Sequence, residues 1–190
     1  MNIKQKILGF LIENKNSAFS IKEISKSLKI DYKLIHINIK KLEKDKSIEV
    51  EDLKVVKRCS FKDKFNEDVF IVENERKNQL LQKKDFKAIY DKLKILNKQF
   101  ILLLFGSRIK GTATKNADID LLLISHEEDA KAIEDKLEVL PLKIHLTPIS
   151  YDSFIGMVKS KEQTVVSEAL KKNIILFGLE DYYRLLENAK

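Results

Sequence analysis

The chain holds one cysteine among 190 residues, Cys59, so it cannot build an internal disulfide framework. That residue reads as a small, half-buried strand position. Two prolines and five glycines leave little material for long flexible linkers. Long apolar runs are missing too. The longest are residues 100–105 and the stretch ending at Ile124, far short of the roughly 20 residues that span a bilayer. No apolar segment follows the opening Met-Asn-Ile-Lys-Gln-Lys, so no signal peptide, no membrane partner and a cytoplasmic location are expected. No internal repeat is visible.

What is present is charge, unevenly placed. Lys, Arg, Asp and Glu make 34% of the chain, against 44% hydrophobic residues, and the net charge is +7. Residues 1–60 carry 14 Lys+Arg against 8 Asp+Glu, a net +6; residues 61–190 carry 22 against 21, a net +1. A basic front joined to a near-neutral remainder fits either a nucleic-acid contact or a solvated lysine-rich surface.

The front third reads as three short helices. Ile3, Ile7, Leu8, Phe10 and Leu11 fall at helical spacing over residues 3–14. Residues 20–23, Ser-Ile-Lys-Glu, form a capping box that opens a second helix burying Ile21, Ile24 and Leu28. Asp31 is an N-cap for a third helix over residues 32–46, burying Ile35, Ile39 and Leu42. A tight turn before the third helix makes a helix-turn-helix, and the stretch resembles the winged-helix repressors. That resemblance implies a third helix lying in the major groove of double-stranded DNA. Its outward face is Tyr32, Lys33, His36, Ile37 and Lys40. Lys33 and Lys40 would hold phosphates, and Tyr32 and His36 would reach base edges. Winged helices often bind as dimers, so a homodimer is an expectation.

For the wing, residues 55–61 and 68–72 are rich in strand formers. The preferred hairpin pairs these two runs, with residues 62–67 as a tip that presents Lys62 and Lys64 to DNA. The alternative folds at residues 51–54, where an acidic tip would repel phosphate. Residues 75–99 alternate Leu80, Leu81, Phe86, Ile89, Leu93 and Leu96 with lysines, as one long helix or two with a start at Asp85. The expected organisation is a winged helix-turn-helix over 1–73, a helical connector over 74–99, and a second domain over 100–190.

That second domain begins with a fully buried strand, residues 100–105, ending at Gly106-Ser107. A second apolar strand starts at Ala117-Asp118-Ile119-Asp120. Strand alternation puts Asp118 and Asp120 on one face, about 7 Å apart. Such a pair suits a hard divalent cation, which takes oxygen ligands from one or two carboxylates and from substrate phosphates. Ser125-His126-Glu127-Glu128 reads as a capping box for a helix running to Leu140, with His126 as a surface residue. Residues 142–147 form the next strand. The tail reads as helices over 151–157 and 163–172, a short apolar run over 174–178 and a final helix over 180–188.

Residues 106–123, Gly-Ser-Arg-Ile-Lys-Gly-Thr-Ala-Thr-Lys-Asn-Ala-Asp-Ile-Asp-Leu-Leu-Leu, resemble the signature of the DNA polymerase beta-type nucleotidyltransferase superfamily, and most of all its small prokaryotic members, the minimal nucleotidyltransferases. The resemblance spans about residues 85–188 and is specific over 100–124. It implies an α+β fold, a mixed sheet flanked by helices. It also implies metal-dependent transfer of a nucleoside monophosphate from a nucleoside triphosphate, with ATP the expected donor, to a protein, RNA or small molecule. By the same resemblance Gly106 and Ser107 would cradle the triphosphate, with cationic help from Arg108 and Lys110 and weaker candidates in Thr112 and Lys115. Asp118 and Asp120 would hold Mg²⁺ or Mn²⁺.

The family places a third Asp on the following strand; here that position is His145. The imidazole would act as general base and manganese ligand, or the site would bind nucleotide with little turnover, or the histidine is structural. A processive polymerase is not expected. Two functions stay open: an enzyme, or a DNA-binding regulator or antitoxin whose nucleotidyltransferase fold senses nucleotide or docks a partner. In small family members the acceptor is often a partner protein, such as a toxin ribonuclease of the HEPN type.

Overall fold

The computed structural model describes the chain except for residues 55, 113, 115, 116, 161 and 190, so the candidate Lys115 lies outside the described residues. The chain divides into two compact units, Met1–Asn74 and Glu75–Lys190.

The first unit runs α1 (Ile3–Glu13), β1 (Phe19–Ser20), α2 (Ile21–Leu28), α3 (Tyr32–Lys44), β2 (Ile48–Asp52) and β3 (Lys57–Phe61), and α4 (Glu67–Leu80) crosses into the second. Each helix of the trio starts on a side-chain cap. Gln5 N–H donates to Asn2 Oδ1 at 2.9 Å and Asn2 N–H to Gln5 Oε1 at 3.0 Å. Ser20 N–H donates to Glu23 Oε2 at 2.7 Å, and Lys33 N–H to Asp31 Oδ1 at 2.9 Å. These bonds satisfy N–H groups that the first helical turn leaves without partners. Lys29, in the left-handed region at φ 54°, closes α2 and makes the tight turn to α3. Ile7, Leu8, Leu11, Ile24, Ile35, Ile39 and Leu42 are buried, as the 3.6-residue periodicity predicts. The two-residue strand β1 was not expected; it pairs Phe19 with Cys59 and completes a three-stranded antiparallel sheet in the order β1-β3-β2.

The hairpin is the rejected alternative. β2 pairs with β3 from Ile48↔Phe61 to Asp52↔Lys57, so the chain reverses between Asp52 and Lys57, with Leu53 N–H donating to Val56 O at 3.1 Å. The segment 68–72, expected as a strand, is helical. Val69 N–H donates to Asn66 Oδ1 at 3.0 Å, which caps the helix start, and Val69 and Val72 are buried three residues apart. Two valines and an isoleucine gave the segment its strand-like composition, but burial at helical spacing decides its state. Lys62 and Lys64 are therefore exposed on the segment between β3 and α4, not at a hairpin tip.

The second unit continues with α5 (Lys84–Leu93), β4 (Ile101–Phe105), α6 (Ser107–Lys110), β5 (Ile119–Ile124), α7 (Glu127–Glu138), β6 (Ile144–Ile149), α8 (Tyr151–Ser160), α9 (Val165–Lys171), β7 (Ile174–Phe177) and α10 (Leu179–Ala189). Residues 84–93 are more than a connector, because Phe86, Ile89 and Leu93 sit in this unit's core. The sheet order is β6-β5-β4-β7; β4 runs antiparallel to β5 and β7, while β5 and β6 are parallel. This is the mixed four-stranded sheet flanked by helices that fits a nucleotidyltransferase fold. On one face α5 and α7 pack Phe86, Ile89, Leu93, Ile133 and Leu137 against Leu102, Leu104, Ile119, Leu121 and Leu123. On the other, α9 and α10 lie on β4. Two buried faces explain why β4 and most of β5 are apolar at every position. Gly178, at φ +71°, lets the chain turn after β7; a Cβ there would lie 2.6 Å from the Phe100 carbonyl oxygen. Among the described residues no helix is long and apolar enough to cross a membrane.

Candidate functional site

One end of the sheet collects the sequence candidates. β4 ends at Phe105, whose partner across the antiparallel ladder is Asp120 at the start of β5, and Asp120 is in turn level with His145 on β6. Phe105, Asp120 and His145 are therefore level across three adjacent strands, with Gly106 following Phe105 directly, although 15 and 25 positions separate the three in sequence.

Gly106 turns the chain at φ +79°, a conformation that L side chains rarely adopt. Its hydrogen matters for space as well. A Cβ at Gly106 would lie 2.1 Å from Asp120 Oδ2 and 2.8 Å from Asp120 Cγ. The Asp120 carboxylate thus rests directly on the glycine backbone. Ser107 opens the single-turn α6, in which Ile109 and Lys110 N–H groups donate to the Gly106 carbonyl at 3.3 and 3.2 Å. Gly111, left-handed at φ +76°, ends that turn.

β5 begins at Ile119, so Asp118 stands one residue before the strand. Asp118 is exposed, Ile119 buried and Asp120 half-buried, which is the alternation expected of two carboxylates sharing a face. His145 Nδ1 lies 3.5 Å from Asp120 Oδ1, with side-chain exposures of 67% for His145 and 27% for Asp120. The imidazole is largely exposed and lies beside the Asp120 carboxylate.

Arg108 and Lys110 are both turned to protein partners. Arg108 Nε donates to the Ala117 carbonyl at 3.0 Å, and its Nη2 donates to the same oxygen. Lys110 Nζ pairs with Glu168 Oε2 on α9 at 3.0 Å, and Lys171 pairs with the other oxygen of that carboxylate. Lys171 first and Lys110 second hold the Glu168 carboxyl below its usual range. Thr112 is exposed in the loop after α6. Glu168 and Lys171 are not legible in the sequence because they join the site only through tertiary packing, 58 and 61 positions from Lys110.

His126 is the N-cap residue of α7 and its side chain accepts no cap bond; the expected capping box does not form, and Ser125 Oγ donates instead to the His126 carbonyl. The His126 ring instead lies against Tyr151, with centroids 5.3 Å apart.

Divalent-ion chemistry can be tested against this donor set. Among the described residues no group of three or more His, Cys, Asp and Glu side chains is arranged to hold a metal. Two carboxylates at the mouth of a glycine turn do fit an ion that draws its other oxygen ligands from substrate phosphates and water, as magnesium does.

In the first unit, Lys33 and Lys40 are exposed on α3, Tyr32 is 50% exposed and Ile37 50% exposed. Tyr32 and His36 stack with ring centroids 6.2 Å apart. They line a groove of about 440 Å³ together with Lys22, Lys54 and Lys57. Lys54 lies in the turn of the β2–β3 hairpin and Lys57 begins β3. Lys57 is partly neutralised there by Asp52 at 3.3 Å.

Residues 91–177 match the family model of the nucleotidyltransferase domain. The match takes in Gly106, Ser107, Asp118, Asp120 and His145, supports the nucleotidyltransferase superfamily for this segment, and supports nucleotidyl transfer in general. No curated protein matches the chain.

Proposed function

We propose, from the nucleotidyltransferase match and the sheet-end geometry together, that the chain transfers a nucleoside monophosphate from a nucleoside triphosphate to a protein, RNA or small-molecule hydroxyl. ATP is the donor we expect. The observation that carries this reading is the seating of the Asp120 carboxylate on the bare Cα of Gly106. A turn that only reverses the chain has no need of an acid packed against it.

In this reading the Gly106-Ser107 turn receives the triphosphate, through backbone N–H groups and the Ser107 hydroxyl. Asp118 and Asp120 hold Mg²⁺ or Mn²⁺, which neutralises charge on the phosphates when bound. His145, in contact with Asp120, takes the proton of the acceptor hydroxyl. The acceptor oxygen bonds the α-phosphorus, the bond to the bridging oxygen breaks, and pyrophosphate leaves. Lys110 must exchange Glu168 for a phosphate oxygen to contribute. An exposed, solvent-screened ion pair of this kind contributes little, so the exchange is easily offset.

The first unit, in the same proposal, is a winged helix-turn-helix that binds double-stranded DNA. Its element order of helix, short strand, two helices and a two-stranded hairpin supports this. Tyr32, Lys33, His36 and Lys40 on α3 enter the major groove. Lys54 and Lys57 on the hairpin, with Lys22, replace Lys62 and Lys64 as the flanking phosphate contacts.

A second reading is favoured by one observation. His145 stands where a third carboxylate would complete a metal site, and it is two-thirds exposed. A catalytically weak domain behind a DNA-binding head would act as a regulator or antitoxin, sensing nucleotide or docking a HEPN-type toxin, with the DNA-bound form a homodimer.

Incubation with each α-labelled NTP, Mg²⁺ or Mn²⁺, and host lysate separates the two. Label on a macromolecule that an Asp118→Ala/Asp120→Ala chain does not transfer supports the enzyme. No transfer with any metal, from a protein that still retards DNA, leaves the regulator.

A further inference from the structure

Arg108 is the only cation of the Gly106–Gly111 turn whose charged head is not held by an acid. Both of the guanidinium N–H groups on one edge converge on a single backbone oxygen, that of Ala117. This carbonyl belongs to the peptide group that joins residue 117 to Asp118. The peptide group on the other side of Asp118 is held as well, because Ile119 N–H donates to the Lys143 carbonyl at 2.8 Å. The two bonds come from different elements, α6 and the approach to β6.

Only two soft dihedrals connect the flanking peptide planes through the Asp118 Cα. With both planes pinned, the direction of the Asp118 Cβ is set before any ligand arrives. Neither bond touches the Asp118 side chain itself, which is exposed. Among the described residues, then, the backbone is what aims its Cα–Cβ bond. Asp120 differs, since the strand ladder and the Gly106 surface place it directly.

From this we infer that Arg108 is a positioning residue for the divalent-ion ligand Asp118, and that it is not a phosphate ligand. The inference rests on the proposed reading of Asp118 and Asp120 as the ion-binding pair. A guanidinium suits the task because its rigid edge brings two donors to one acceptor, whereas the lysine ammonium is a point charge on a flexible stem. Removal of a group that orients a metal ligand typically costs about ten- to a hundredfold in metal affinity.

The test separates the two roles of a cation at this place. NTP binding is measured calorimetrically on the full chain, first in EDTA and then over a Mn²⁺ titration, for the native protein, Arg108→Lys and Arg108→Ala. Mn²⁺ binding is followed independently by electron paramagnetic resonance. For both variants the expected result is NTP affinity in EDTA within about twofold of native, with the Mn²⁺ requirement raised about ten- to a hundredfold. Arg108→Lys retains the charge, so a Mn²⁺ requirement raised in it as much as in Arg108→Ala assigns the effect to geometry. The assignment is overturned if Arg108→Ala loses NTP affinity in EDTA while Arg108→Lys keeps it and the Mn²⁺ requirement stays native, for that is the pattern of a phosphate contact. Should Arg108→Ala fail to fold, the Arg108→Lys arm decides alone, because a native Mn²⁺ requirement in that variant contradicts the inference. A native chain that binds neither NTP nor Mn²⁺ defeats the parent reading and this one with it, whereas native binding of both with native-like variants defeats this one only.

Discussion

The two units of this chain use the same folding rules and depart from them to different degrees. In Met1–Asn74 the polar groups that the helices leave over are satisfied close by: Asn2 with Gln5, Ser20 with Glu23, Asp31 with Lys33. Its functional interest lies wholly in what is exposed, namely Tyr32, Leu34 and Ile37 beside lysines on α3. In Glu75–Lys190 the departures cluster at one sheet end. A glycine at φ +79° has an acid packed on its Cα, a half-buried carboxylate interrupts an apolar strand, and an arginine spends its fork on a carbonyl. Sites tend to lie where local preference is overruled, and the second unit gathers such departures at one sheet end, whereas Lys29, Lys46 and Lys54 at positive φ in the first unit sit in separate turns. An exposed basic face is a weaker pointer, because a solvated surface looks the same.

The contrast is broken most sharply by removing the acids. Asp118→Ala/Asp120→Ala is expected to lower nucleotidyl transfer by about a thousandfold or more, the equivalent of several kcal/mol of lost charge stabilisation. DNA retardation by the same protein should stay native, since the acids belong to the other unit. Loss of both activities together would mean that the units do not work separately.

A pair of glycines gives the next effect. Gly106→Ala and Gly178→Ala each place a side chain at positive φ and into contact at under 3 Å, so each should lose about 1–3 kcal/mol of stability in denaturant titration. Only Gly106→Ala meets Asp120, and only it should lower transfer beyond what stability explains. Equal effects on transfer would show that the Gly106 seat is structural.

His145→Asp tests the missing third carboxylate. A hard oxygen ligand in place of imidazole should raise activity with Mg²⁺ relative to Mn²⁺ by about tenfold. An unchanged metal preference would place His145 outside the ion site.

On the first unit the effects are smaller. Lys33→Ala and Lys40→Ala should each reduce the slope of log K against log salt for DNA by about 1, with transfer untouched. Binding that is insensitive to both would remove α3 from the DNA interface. Smallest of all, Cys59 should resist thiol reagents at neutral pH until the protein unfolds. It is fully buried on β3, and burial pushes its thiol up to about 11.

Much of this was legible in the chain itself. The three N-terminal helices follow from Ile7, Ile24, Ile35 and their periodic partners, and from caps that are purely local. Gly106, Asp118 and Asp120 are read from a short motif because strand alternation is local too. The hairpin was misplaced because residues 68–72 carry a strand-like composition, while the burial of Val69 and Val72 is a tertiary fact. The roles of Arg108 and Lys110 were hidden for the same reason. A sequence shows two cations in a loop, and only the fold shows that Ala117 and Glu168 already hold them. The closeness of His145 to Asp120 needed the parallel pairing of β5 with β6, although the strand order suggested it.

The most direct test of the central claim is a calorimetric titration of ATP into the native chain and into Asp118→Ala/Asp120→Ala, each with Mg²⁺ and with EDTA. The expected result is Mg²⁺-strengthened binding to the native chain and binding indifferent to Mg²⁺ in the variant. Identical Mg²⁺ dependence in the two proteins, or no binding of any NTP to the native chain, would contradict the assignment of this sheet end as a nucleotide site.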